Sequence, residues 1–226
     1  MKRIRVVLLV IVCLLVGGAM SVALASDNFG ELNIKAGLNL TSLKRIDLLR
    51  SQKFDAEKLN PCVSLCGEYL ISGERLVSNL NFLKIGLGLK YLFPSEFKIK
   101  NISIPDFKLS FLPVYFTLQA NPFIKSNNEV LKGMFVKGAI GYNAYFSQNV
   151  KEITPIQFKK SKGGLYYAFG AGYEFPFPLG LVFDITYSIY NSSIETILKY
   201  EGHTIEKESD FSYSCVGLNV GYKFKI

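Results

Sequence analysis

The chain has 226 residues, a formal charge of +8, four cysteines and a single histidine. This is the size of one domain, and one histidine leaves general-base catalysis near neutral pH without an obvious agent. The basic excess is mild, and the export signal described next makes nucleic acid a poor partner.

The N-terminus reads as a secretory signal peptide. "MKRIR" is a basic n-region and "VVLLVIVCLLV" an apolar core; Gly17 and Gly18 break the run, and Ala23 and Ala25 form an A-x-A site before Ser26. The uncharged stretch from Val6 to Ala25, 20 residues, is also long enough to span a bilayer as an anchor helix. The glycine pair and the A-x-A site favour cleavage. The expected organisation is a signal peptide over 1–25 and one β-barrel domain over 26–226. Cleavage removes Lys2, Arg3 and Arg5, which takes the charge from +8 to +5.

Three cysteines then remain: Cys62, Cys66 and Cys215. On one strand, Cys62 and Cys66 would stand roughly 13 Å apart, beyond the roughly 7 Å that a disulfide tolerates between Cα atoms. Free thiols are expected.

Helical periodicity is nearly absent and alternation is continuous, so eight strands are predicted. The first covers about 30–41, with Leu32, Ile34, Ala36, Leu38 and Leu40 on its apolar face. The second (about 62–72) carries Val63, Leu65, Gly67, Tyr69 and Ile71. The third (about 81–93) carries Leu83, Ile85, Leu87, Leu89, Tyr91 and Phe93. The fourth (about 109–120) carries Leu112, Val114, Phe116 and Leu118, although Leu109 and Phe111 fall on the opposite parity. The fifth, sixth and seventh cover about 133–147, 164–175 and 180–190. The eighth, about 211–226, ends on "GLNVGYKFKI", which alternates to the last residue. Long connections follow the first, third, fifth and seventh strands, and shorter ones follow the rest, as in a chain of four hairpins. In the first long loop, Leu43, Ile46 and Leu49 have helical spacing and could form a short amphipathic turn.

These strands exceed the five or six residues usual in soluble sheets and match the nine to eleven that cross a bilayer when tilted. Their apolar faces carry no charge. The opposite faces carry Glu31, Lys35, Glu68, Lys84, Lys90, Lys137, Glu174, Asp184, Lys223 and Lys225. They also carry glycines, including Gly37, Gly86, Gly88, Gly172, Gly217 and Gly221. A soluble barrel or sandwich gives the same alternation. A solvated face has no need of glycine, however, whereas a narrow barrel interior does. The reading is therefore all-β: a closed eight-stranded antiparallel up-and-down transmembrane barrel, apolar outside and polar inside, with the C-terminal strand pairing the first. Glu31 should then meet Lys223 or Lys225, and Asp184 should meet Lys223, at one mouth. A serine at Gly88 should be tolerated by a polar lumen.

"NIKAGLNLTSL", "LSFLPVYFTLQ", "YYAFGAGYEF" and "LVFDITYSIYNSS", in this order, resemble successive strands of the outer-membrane protein β-barrel domain family. These are small porin-family barrels of Gram-negative bacteria. The resemblance covers essentially all of the chain after the signal peptide. The end "NVGYKFKI" is similar to the C-terminal signal read by the barrel-assembly machinery; Asn219, Gly221, Phe224 and Ile226 fit, with Ile where an aromatic is usual. The resemblance implies outer-membrane lipids and lipopolysaccharide as surroundings and the assembly machinery as partner. A monomer is expected.

Some barrels of this size are lipid A enzymes. Here the one histidine, His203, lies in "EGHTIEK" of the last long connection, with no serine at matching spacing on one strand face. Cys62, Cys66 and Glu68 share a face but are spread along it, too far apart to converge on a metal. No catalytic, cofactor-binding or metal-binding residue is expected. The lumen charges suit a hydrogen-bonded plug better than a wide pore. The connection "VKEITPIQFKKSK", with Lys151, Lys159, Lys160 and Lys162 against Glu152, could contact lipopolysaccharide phosphates. The expected function is a structural or surface-interaction role. The alternatives are a narrow solute channel, a lipid A-modifying enzyme, which is disfavoured, and a soluble ligand-binding barrel.

Overall fold

The computed structural model describes residues 30–46, 61–96, 108–148, 156–176, 179–200 and 203–226. The 1–25 segment and most of the first and second long connections lie outside them. Nine strands form in chain order: β1 (Glu31–Ile46), β2 (Cys62–Ser72), β3 (Leu83–Glu96), β4 (Lys108–Ala120), β5 (Met134–Gln148), β6 (Ile156–Lys162), β7 (Leu165–Glu174), β8 (Leu181–Tyr200) and β9 (His203–Lys225). Every pairing is antiparallel. Eight of the strands close a ring, β1-β2-β3-β4-β5-β7-β8-β9, sealed by β9 against β1.

Closure explains why the chain ends inside a strand. The backbones of Gly30 and Ile226 exchange two hydrogen bonds of 2.9 Å, so the first and the last described residues lie in the wall and neither is at a sheet edge. The expected faces hold throughout the wall. Leu38, Leu87, Val114, Ile140, Phe169, Ile185 and Leu218 point outward and are exposed, as a lipid-facing band requires, while the alternate positions are buried or half-buried. The fourth predicted strand has the expected phase, and the off-parity Phe111 points into the lumen, fully buried.

Three expectations about the connections are corrected. Residues 191–210 are not a loop: β8 runs for 20 residues and β9 for 23, and they pair from Leu181↔Tyr222 to Tyr200↔His203. His203 therefore starts a strand. The connection after the fifth strand also contains strand, since Ile156–Lys162 pairs with the distal half of β8. β6 and β7 pair with successive parts of the same edge of β8, so they form one strand broken at Gly163 and Gly164. β1 likewise runs to Ile46 against β9, with a bulge near Leu43 and Arg45, in place of the expected helical turn. β6, β8 and β9 thus continue beyond the wall as a sheet, the arm. On it, Lys162 bridges Glu195 at 3.0 Å and Glu208 at 2.9 Å. The hydrogen bond to Glu208, then that to Glu195, raises the Lys162 ammonium above the usual lysine range.

The other end, where Gly30 and Ile226 pair, carries short turns. A 3₁₀ turn spans Gly73–Arg75, and a helical turn spans Glu129–Lys132, where the Asn128 side chain accepts from the Val130 amide at 2.9 Å. Gly180 has φ +57° before β8, a left-handed conformation that favours glycine.

Candidate functional site, a filled lumen

The alternation that points apolar residues at lipid points the others at a narrow interior, and in eight strands that interior is only wide enough for side chains. Three layers fill it. Nearest the termini, Lys84 Nζ lies 2.7 Å from Glu31 and 2.8 Å from Glu174, and Lys223 Nζ lies 2.8 Å from Glu174 and 3.9 Å from Glu31. Gln119 donates to Glu174 at 2.5 Å. Leu70, Phe135 and Val182 are buried at the same end.

The middle layer is a four-membered ionic cluster. Lys35 pairs with Glu68 and, at 2.9 Å, with Asp184; Lys137 reaches Asp184 at 3.0 Å and Glu68 at 3.4 Å. Tyr115 donates its hydroxyl to Glu68 at 2.9 Å, and the Asn219 amide donates to Asp184 at 2.5 Å and to Thr186 at 2.8 Å. Each charge has opposite charges or hydrogen-bond partners on more than one side, which buried ions require.

The third layer, toward the arm, is aromatic. Phe111 packs on Tyr190 and Tyr213 with ring centroids 4.9 and 4.8 Å apart; Tyr166 packs on Tyr190 at 5.0 Å and on Tyr115 at 5.1 Å. Phe111, Tyr190, Tyr213 and Leu92 have no solvent exposure. The separations and tilted planes are favourable for ring pairs.

The charged residues read from the sequence thus meet in the lumen, and Glu31 meets Lys223 as expected, but one pairing differs from expectation. Asp184 does not meet Lys223. It lies opposite Asn219 on β9, four residues from Lys223 and so roughly 13 Å along the strand, and Lys35 and Lys137 hold it instead. Glu31 has Lys84 as its nearer partner. Lys225, although opposite Glu31 in register, has an exposed side chain. Gly88 is also not tolerant. A Cβ there would lie 2.3 Å from the Tyr115 ring, so the glycine is the seat of that ring.

Cys62, Cys66 and Cys215 are free and buried, as expected, and the Cys66 sulfur lies 3.0 Å from the Tyr115 hydroxyl. The aromatic layer escaped the sequence reading, which weighed only charges and glycines on the inner faces. Its signal was there: Phe111, Tyr115, Tyr166, Tyr190 and Tyr213 are large rings on the otherwise polar parity.

No curated protein sequence matches this chain. Among solved structures, the outer membrane protein AlkL in lipid bilayers is similar at 13% identity, with a TM-score of 0.52, covering 89% of this chain and 94% of that one. The outer membrane protein OprG from Pseudomonas aeruginosa is similar at 15% identity, with a TM-score of 0.51, covering 89% and 99%. Both likenesses are of fold. The family model described as the outer membrane protein beta-barrel domain matches residues 10–224. The chain belongs to that family, whose barrels sit in the outer membrane of Gram-negative bacteria.

Proposed function

We propose that this barrel is a non-conducting, non-enzymatic membrane scaffold whose work is done at its surface by the arm. In this reading, residues 1–25 are removed on export, the termini face the periplasm and the arm faces outward among lipopolysaccharide molecules. The last strand is read by the barrel-assembly machinery, and the protein acts as a monomer. The observation that carries the reading is the burial of Phe111, Tyr190 and Tyr213 across the lumen above a fully paired ionic cluster. A channel needs a continuous water path, and these layers occupy it from both sides.

Single-channel recording in planar lipid bilayers tests this. No stepwise openings are expected from the wild-type protein. Reproducible openings would overturn the plug and establish the narrow solute channel. Protease treatment of intact cells tests orientation: cleavage is expected within 42–60 but not in the turn around Phe175–Gly180. The reverse pattern would invert the barrel.

A further inference from the structure

Among the described residues, the lumen charges do not balance. Its buried or half-buried carboxylates are Glu31, Glu68, Glu174 and Asp184, and each is within ion-pair distance of Lys35, Lys84, Lys137 or Lys223. A fifth lysine, Lys90, is 3% exposed, and no carboxylate among the described residues lies within ion-pair distance of it. Its hydrogen bond goes to Asn39 Oδ1 at 3.2 Å. An ammonium has three donors, and a neutral amide oxygen satisfies one of them without balancing the charge. Asn39 itself is fully buried and held by Ser64, whose Oγ accepts from Nδ2 at 2.9 Å.

Lys90 also lines a cavity. It encloses about 10 Å³, at the threshold for one water-sized species. Lys35 and Lys137 line it too, so three lysines border it against Glu68 as the single carboxylate residue of its lining. Thr186 accepts from Asn219 at 2.8 Å and so keeps its own hydroxyl proton for another acceptor. Water would fill the space but leave the Lys90 charge unbalanced in a low dielectric, where an uncompensated ion is expensive. A cation is repelled by the three ammonium groups. Sulfate and phosphate are too large and carry more charge than the single excess requires.

The geometry points to a binding site for one small monovalent anion, a halide such as chloride, held beside Lys90 under the aromatic layer. The halide supplies the countercharge that Lys90 lacks, and the rings above it make exchange slow, so the ion enters as the barrel folds. This site is independent of the surface role: the ion is enclosed, and no current need pass.

The test is to fold the full mature chain from urea into detergent micelles in chloride, bromide, iodide or gluconate salts at equal ionic strength, and then to measure urea unfolding. At a halide concentration ten times the dissociation constant, the unfolding equilibrium constant should fall about tenfold relative to gluconate. Iodide should be weaker than chloride for reasons of size. Lys90→Met should lose the chloride dependence. If that variant does not fold, Lys90→Gln serves the same comparison, and crystals of the wild type grown in bromide should show an anomalous peak next to Lys90 Nζ. Equal stability of the wild type in chloride and gluconate, the same chloride dependence in the Lys90 variant, or no bromide peak would overturn the site. A conducting wild type would overturn the plug while leaving these outcomes unchanged.

Discussion

The middle and arm-side layers of the lumen fill the same tube with opposite chemistry. In the middle, Lys35, Glu68, Lys137 and Asp184 are buried ions, each dependent on the others. Above them, Phe111, Tyr166, Tyr190 and Tyr213 exclude water by packing their rings on one another. The ionic layer is specific but unforgiving, because removing one member strands the rest. The aromatic layer is tolerant of chemistry but not of volume. Tyr115 belongs to both: its ring stacks on Tyr166 and its hydroxyl donates to Glu68.

Four substitutions sharpen this contrast, each read by urea unfolding in detergent. Lys35→Met should have the largest effect, since it leaves Glu68 and Asp184 sharing only Lys137; a loss of about 3–5 kcal/mol is expected. A loss below about 1 kcal/mol would mean that water solvates the cluster. Phe111→Ala should follow at about 3 kcal/mol for a buried ring, and it should differ in kind, because only this variant should produce channel openings in planar bilayers. If Lys35→Met conducts and Phe111→Ala does not, the seal has been placed in the wrong layer.

Tyr115→Phe removes a hydrogen bond to a charged acceptor and keeps the ring, for an expected loss of about 1.5–3 kcal/mol. Tyr190→Phe makes the same chemical change one layer higher, where the hydroxyl's partner among the described residues is the Cys215 sulfur at 4.0 Å. Its effect should stay under about 0.5 kcal/mol, since little hydrogen bonding is lost. Equal effects of the two tyrosine changes would erase the boundary between the layers.

The sequence by itself determined the wall. A strand's side chains alternate with a period of two whatever lies beside it, so the lipid face, the inner face and the positions of the eight wall strands are local properties. The uncharged outer parity and the glycines inside were enough to distinguish a membrane barrel from a soluble one. Even the terminal "GLNVGYKFKI" was legible as wall, because closure leaves no edge for it to fray from. Which inner residues touch was decided only by the tertiary structure. Lys84 on β3 meets Glu174 on β7 across the lumen, and Lys35 on β1 meets Asp184 on β8 with β9 between them. Such pairings depend on the stagger of the whole ring, which no single strand encodes, and so Asp184 was assigned to the wrong lysine. The arm was hidden for a related reason. The mostly polar sequence of 191–210 reads as loop by composition, yet the register of β8 and β9 carries their ladder on past the wall and draws Ile156–Lys162 onto its edge.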